Sequence, residues 1–147
     1  MAILKSSVLT LGVLGILGVG AFIGLGQYSK NGSAPGVTNG SLAPCPSSPN
    51  CVSSEAGTPP EKQVDPLALS AWETIPAAIT AIGGTITLQD TDYIAAEFSS
   101  STFGFVDDLE LRLTDTDVQV RSASRVGYSD RGANAARVAQ LRKALAQ

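Results

Sequence analysis

An uncharged apolar run near the amino terminus constrains this chain more than any other feature of its sequence. The run covers 19 of the 147 residues, from Val8 to Gly26, with Lys5 before it and Lys30 after it. A helix needs about 20 residues to cross the roughly 30 Å hydrocarbon core of a bilayer. Residues 1–30 are therefore predicted to target the chain to a membrane.

The length of this run favours a retained single-span anchor, because the apolar core of a secretory signal peptide is shorter. Small-x-small triplets at Gly18–Gly20 and Gly24–Gly26 fit a signal cleavage site loosely, so cleavage stays open as the alternative. With the anchor retained, the membrane itself is a partner of the chain.

The two cysteines point to an oxidising compartment. Cys45 and Cys51 are the only cysteines, and the chain has no histidine. A zinc site would need about four Cys or His ligands, and a thioredoxin-type pair would need a C-x-x-C spacing. A local disulfide is the simplest interpretation, with two free thiols in a reduced compartment as the alternative. We predict a domain on the extracytoplasmic side of the membrane, as in a periplasm, without a metal or a cofactor.

Net charge argues against nucleic acid as a partner. The chain has 10 Lys and Arg residues against 13 Asp and Glu residues, a net charge of −3, and lacks the attraction that non-specific nucleic-acid binders use. Residues 31–110 hold one basic and ten acidic residues (−9), whereas residues 111–147 hold seven and three (+4). This polarity would orient the molecule on a charged partner, unless pairing between the two halves cancels it.

Proline marks the boundary between a predicted tether and a predicted folded domain. Seven of the eight prolines lie between Pro35 and Pro66, and none follows Pro76. Proline mixed with Gly, Ser, Thr and Asn is typical of extended linkers. The predicted division is a membrane anchor or signal segment at 1–30, a linker with the cysteine loop at 31–63, and a globular domain at 64–147.

The pattern of apolar residues in this domain predicts the order α-β-β-β-β-α. Ser70 and Glu73 form a capping-box pattern before a helix, in which Pro76 either introduces a kink or marks the true first turn. A second helix is predicted from Ala135 to Leu145. The predicted strands are Thr85–Gln89, Tyr93–Phe98, Phe103–Leu113 and Val118–Val126. Short turns favour an antiparallel meander with both helices on one face, an α+β two-layer domain.

Pairing Leu113 with Val118 across the last turn sets the register of the final two strands. Glu110 then faces Arg121, and Arg112 faces Gln119, on a side predicted to be exposed to solvent. The same register places Asp107 opposite Ser124 on the apolar side.

Asp107 and Asp108 are adjacent on a strand and point to opposite faces, which excludes a converging carboxylate pair. A carboxylate on the apolar side is costly unless it is paired. We therefore expect Asp107 to accept hydrogen bonds from backbone amides, Ser124 or an arginine.

The densest polar segment runs from Arg121 to Asn134, out of a strand and into a helix start. Two arginines on one strand face, small hydroxyl groups and a helix start would suit an anion or a carboxylate. Alternatively, Arg121 and Arg125 form surface salt bridges, and Ser129, Asp130 or Asn134 caps the helix.

Three separate motifs resemble the domain of unknown function 1499 family (DUF1499). They are the cysteine loop from Cys45 to Ser54, the stretch Phe105-Val106-Asp107-Asp108, and the segment from Arg121 to Asn134. The resemblance implies a domain of bacteria and photosynthetic lineages that often follows an export or membrane segment. It adds a thylakoid lumen to the expected locations, and it implies no catalytic residue or substrate.

The leading functional hypothesis is a membrane-tethered, exported, non-enzymatic binding or assembly module, with a membrane protein as a candidate partner. Its contact surface would centre on Arg121, Arg125, Tyr128 and Asp130. Another hypothesis makes the cysteine loop the binding element.

The alternative is a small-molecule or lipid-binding protein, or an enzyme, with a pocket near Asp107, Ser124 and Arg121 between the sheet and the helices. A serine nucleophile in a chain without histidine would need a lysine base. The four lysines lie outside the predicted strands. An enzyme is therefore the less favoured class.

Overall fold

Four successive strands of this chain lie side by side in an antiparallel sheet, joined by two short polar turns and one longer loop with two phenylalanines. The computed structural model describes residues 18–146. Its elements are α1 (residues 18–29), β1 (Val37–Thr38), β2 (Ser41–Leu42), β3 (Cys51–Ser53), β4 (Leu67–Ala68), α2 (Ile75–Ala81), β5 (Thr85–Gln89), β6 (Tyr93–Ser99), β7 (Val106–Leu113), β8 (Asp117–Ser124) and α3 (Ala133–Leu145). The domain is α+β, as predicted.

The predicted meander forms the centre of the sheet, but β7 begins at Val106 instead of Phe103, and β8 spans Asp117–Ser124 instead of Val118–Val126. The strand order is β3-β8-β7-β6-β5, and β4 also pairs with β8. The predicted register is correct, because Asp107 pairs with Ser124 and Leu113 pairs with Val118. The turn between β7 and β8 closes through Thr114, whose backbone N–H donates to the Asp117 carbonyl at 2.9 Å.

Proline sets the start of α2. A 3-10 helix spans Leu69–Thr74, and Pro76 occupies the first turn of the α-helix that follows. Pro76 therefore marks the true first turn, where its missing N–H costs no intrahelical hydrogen bond. The predicted capping box does not form, because Ser70 and Glu73 both lie within the 3-10 helix and no side chain caps α2.

The helices α2 and α3 cover one face of the sheet, here called the helix side. Leu109, Leu111, Val118 and Val120 lie on this face, and all four are fully buried. They form one apolar core with Ile75 and Ile79 of α2 and with Val138 and Leu141 of α3.

Residues 29–42 cover the other face, here called the second face. Leu42 packs against Tyr93 and Ala95, and the Gly36 N–H donates to Glu110 Oε1 at 2.8 Å. The predicted solvent exposure of the Glu110–Arg121 pair is therefore wrong, since Glu110 is 0% and Arg121 is 6% exposed. Residues 29–42, which precede α2 and α3, fold over this pair and bury it.

The segment 31–63, predicted to be an extended linker, contributes β3 to the edge of the sheet. Cys51 pairs with Ala123 and Ser53 with Arg121. The abundant prolines prevent a long regular element but do not prevent packing, because the remaining backbone groups still find partners.

The predicted disulfide is present. Cys45 and Cys51 are joined, with a Cα–Cα distance of 5.6 Å. The buried Lys62 ammonium donates to the carbonyl groups of Pro46 and Ser48 within the loop. The loop is thereby held against the domain.

The predicted membrane span is described only in part. Residues 8–17 of the span lie outside the described residues. Between residues 18 and 146, no helix combines the length and the apolar character that crossing a membrane requires.

Candidate functional site

The second face holds a buried ion pair between adjacent strands. Arg121 Nη1 on β8 donates to Glu110 Oε2 on β7 at 2.7 Å, and the Tyr93 hydroxyl donates to Glu110 Oε1 at 2.8 Å. Burial, and then the nearby negative charge of Glu110, raise the pKa of the Tyr93 hydroxyl well above its usual range. Tyr93 therefore remains a hydrogen-bond donor at any physiological pH.

Arg121 uses few of its hydrogen-bonding groups. A guanidinium has five N–H donors, and among the described residues only Nη1 has a partner. Nε is buried without a hydrogen-bond partner in the described part of the chain. An unpaired buried donor costs about 1–3 kcal/mol, so it favours any group that supplies an acceptor oxygen.

Among residues 18–146, Arg125 has four hydrogen bonds, in contrast to the single one of Arg121. Its Nε and Nη2 donate to the two oxygens of Asp108 at 2.9 Å and 2.7 Å, Nη2 also bonds Glu97, and Nη1 donates to the Ser29 carbonyl at 3.2 Å. The hydrogen bond to Asp108 is the main cause that raises the pKa of Arg125, against the opposing effect of burial. Arg125 acts as a clamp between the sheet and the end of α1.

A cleft of about 390 Å³ lies between the cover and the sheet. One wall comes from residues 28–35, and the other comes from residues 121–126 together with Asp108. Pro35, Ala123 and Val126 add apolar surface to a site that also contains the guanidinium groups of Arg121 and Arg125. A cleft of this size and mixed lining suits a small molecule.

Asn134 organises the opposite, helix-side end of β8. Its Nδ2 donates to Asp130 Oδ2 at 2.8 Å, to Ser124 Oγ at 3.1 Å and to the Asn50 carbonyl at 3.1 Å. Its Oδ1 accepts a hydrogen bond from Ser122 Oγ at 2.6 Å. Arg137 bonds both Asn134 and, at 2.7 Å, Asp107. Residues of all three sequence motifs therefore meet here: Asn50 of the cysteine loop, Asp107, and Asn134.

The structure separates the predicted site residues into two groups. Arg121 and Arg125 line the cleft on the second face. Ser124 also contributes to the lining, but its hydroxyl lies on the helix side, where it accepts a hydrogen bond from Asn134. Asp107 lies on the helix side, where it pairs with an arginine, Arg137, one of the three kinds of partner expected for it. The pocket hypothesis expected a cleft beside Asp107, but this cleft lies on the other face of the sheet.

The remaining two predicted residues lie outside the cleft. Tyr128 is 77% exposed. Asp130 accepts hydrogen bonds from the backbone N–H groups of Gly132 and Asn134 at the start of α3. Burial acts to raise the pKa of Asp130, but these N–H groups outweigh it and lower the pKa.

Pairing between the two halves of the chain cancels most of the charge polarity. Each of the five ion pairs among residues 18–146 joins an acid from residues 31–110 to an arginine from residues 111–147. Within the same residues, no cluster of three or more potential ligands could hold a metal ion.

Sequence analysis missed the wall of the cleft that residues 28–35 provide. A signal was present in β6, where Tyr93, Ile94, Ala95 and Ala96 are all apolar or aromatic and all buried. A strand that is apolar on both sides is typical of a sheet covered on both faces. That pattern requires a second covering layer.

Comparison with known proteins identifies the family of the chain. A family model described as a protein of unknown function, DUF1499, matches residues 41–145, so the chain belongs to this family. No curated protein and no solved structure shows detectable similarity to the chain.

Proposed function

We propose that the protein is a membrane-tethered, exported binding module, non-enzymatic, that holds a small molecule in the cleft on its second face. The observation that carries this proposal is the Arg121 guanidinium, which lines the cleft and, among the described residues, has only the single hydrogen bond from Nη1 to Glu110. A carboxylate or a phosphate is the natural complement, because both accept hydrogen bonds from two guanidinium nitrogens at once. The apolar lining suits a ligand that also has an apolar portion.

This geometry favours a ligand in the cleft over the predicted protein contact through the two arginines. Arg121 is buried, and Arg125 is fixed by Asp108, Glu97 and Ser29. Neither guanidinium is free to reach across a protein interface. Tyr128 alone of the predicted contact residues is strongly exposed.

Purification of the full-length protein from its own membranes in mild detergent tests the proposal. Mass spectrometry of the small molecules that co-purify should detect an acidic compound. The Arg121→Lys variant should recover at least about tenfold less of it, a loss equivalent to about 1.4 kcal/mol. Lysine preserves the positive charge beside Glu110 but lacks the planar pair of donors.

Arg112→Lys is the matched control. Arg112 lies on the same face and pairs with Glu55, at 2.9 Å, but does not line the cleft. This variant should retain the compound. Equal recovery from all three proteins would contradict the proposal, and a stoichiometric protein partner without an acidic compound would favour the assembly hypothesis instead.

A further inference from the structure

The end of α1 is fixed to the loop between β6 and β7, which spans residues 100–105. A side chain at Gly26 would place its Cβ 1.9 Å from the Phe103 carbonyl oxygen, so this contact requires glycine. Ser29 Oγ donates to the Gly26 carbonyl at 2.6 Å and accepts the Val106 N–H at 3.0 Å. The helix therefore leaves the domain in a fixed direction.

Three phenylalanines join α1 to the same loop. The ring of Phe22 lies 5.4 Å from that of Phe103 and 6.3 Å from that of Phe105, and the latter two are 6.1 Å apart. We call Phe22, Phe103 and Phe105 the aromatic seat.

The apolar surface around this seat is uncovered. Phe22 is 52% exposed, and on the same helix Val19, Ile23 and Leu25 are each between 45% and 51% exposed. A contiguous exposed apolar surface of this kind marks an interaction site. Neither residues 18–29 nor residues 100–105 contain a charged side chain.

We propose that the aromatic seat lies in the interface of a lipid bilayer, so that the loop 100–105 is a second membrane contact beside the amino-terminal helix. The proposal rests on the membrane tether proposed above. Residues 18–26 complete the uncharged run that begins at Val8. A helix rises 1.5 Å per residue, so Phe22 lies about 6 Å from Gly26 towards the amino terminus of α1. This distance is within the depth of about 5–10 Å at which Phe and Leu side chains enter the boundary between headgroups and acyl chains.

A cation beside the loop also fits a lipid bilayer at this surface. The Lys30 side chain approaches Gly104, with its Cε 3.3 Å from the position of a Cβ there. An ammonium at this level would face the lipid phosphates. Tyr28, near the end of α1, lines the cleft. With the aromatic seat in the bilayer interface, the cleft would therefore lie close to the membrane surface.

Tryptophan fluorescence in proteoliposomes tests the seat. The full-length chain with Trp72→Phe, which removes its only tryptophan, receives either Phe103→Trp or the control Leu88→Trp. Leu88 is 53% exposed on β5, at the opposite edge of the sheet order from β3. Vesicles of phosphatidylcholine and phosphatidylglycerol, with brominated chains near the headgroup, should quench the Phe103→Trp variant at least about twofold more than the Leu88→Trp variant.

Equal quenching of the two variants, in protein that stays with the vesicles on flotation, would contradict the membrane contact of the aromatic seat but not the membrane tether. Protein that does not float with the vesicles would overturn both. A blue shift that grows with protein concentration in detergent, without quenching by lipid, would also overturn the seat and would identify a second copy of the chain as the occupant. Phe105→Trp repeats the test if Phe103→Trp does not fold.

Discussion

Both faces of the sheet contain fully buried side chains, but the two faces are built from different chemistry. On the helix side, Leu109, Leu111 and Val120 are fully buried among other apolar side chains. On the second face, Glu110 and Asp108 are 0% and 3% exposed, and each has an arginine partner. The difference shows that burial in this fold requires partners for charges as much as it requires apolar residues.

The two faces should therefore respond differently to substitution. An apolar face loses stability in proportion to the cavity that is created. A buried ion pair contributes little net stability while it is intact, but it becomes costly when one partner is removed. The second face should thus show strong coupling between paired residues.

The largest expected effect is that of Arg121→Ala. The variant should lose about 3–5 kcal/mol in free energy of unfolding, because it leaves the fully buried Glu110 without its cation. Urea denaturation of the full-length protein in detergent measures the loss. The double variant Glu110→Gln/Arg121→Met should lose less than Arg121→Ala, since no unpaired charge remains.

A double variant that lost as much stability as Arg121→Ala would contradict this account of the unpaired charge and would make the second face resemble the helix side. Leu109→Ala provides the comparison, with an expected loss of about 2–5 kcal/mol from its cavity. Leu109 and Glu110 are neighbours on β7 and point to opposite faces. The pair therefore compares the two faces within one strand.

A smaller effect is expected from Ser29→Ala, which tests the cover of the second face. Removal of the hydroxyl leaves the buried Val106 N–H without an acceptor, at a cost of about 1–3 kcal/mol. Ser33→Ala is the matched control, because Ser33 is an exposed serine of the same segment. Its loss should stay within about 0.5 kcal/mol. Equal losses in the two variants would mean that residues 29–42 contribute little to the stability of the second face.

The helix side was predictable from sequence because its signals are local. Alternating apolar residues and short polar turns identified β5 to β8, and the turn Thr114–Asp117 set the register that brings Asp107 opposite Ser124. Pro76 indicated either a kink or the first turn of a helix, and the structure shows the first turn of α2. Each of these signals depends on residues close together in the chain.

The second face was not predictable in the same way, because its cover comes from distant residues. The Gly36 N–H bonds Glu110, 74 residues later, and Arg125 bonds the Ser29 carbonyl, 96 residues earlier. Periodicity reports which residues share a face but not which segment covers it. Charged residues facing each other across β7 and β8 therefore suggested solvent exposure.

The same limit applies to the candidate site. Sequence analysis selected Arg121, Ser124 and Arg125, which line one wall of the cleft. The pocket hypothesis placed Arg121 and Ser124 beside Asp107. The Ser124 side chain does share the helix side with Asp107, its partner in the register, whereas Arg121 lies on the second face and Asp107 pairs with Arg137. The opposite wall, residues 28–35, combines the end of the predicted anchor segment (28–30) with the start of the predicted linker (31–35).

The smallest expected effect concerns Asp130, a helix-side carboxylate held by N–H groups instead of an arginine. Its pKa is lowered from 3.8, so its stabilising effect is complete above that pH and is lost as the pH falls through the lower pKa of the folded state. Asp130→Asn should cost about 1 kcal/mol at pH 7, because it removes the negative charge at the start of α3 and one of the two acceptor oxygens. The difference from the wild type should shrink below about pH 4. Urea midpoints of both proteins between pH 7 and pH 3 measure this difference. A difference that stayed constant would show that the negative charge of Asp130 does not contribute to stability. A shrinking difference would show that this end of the helix side, too, depends on a charge with fixed partners.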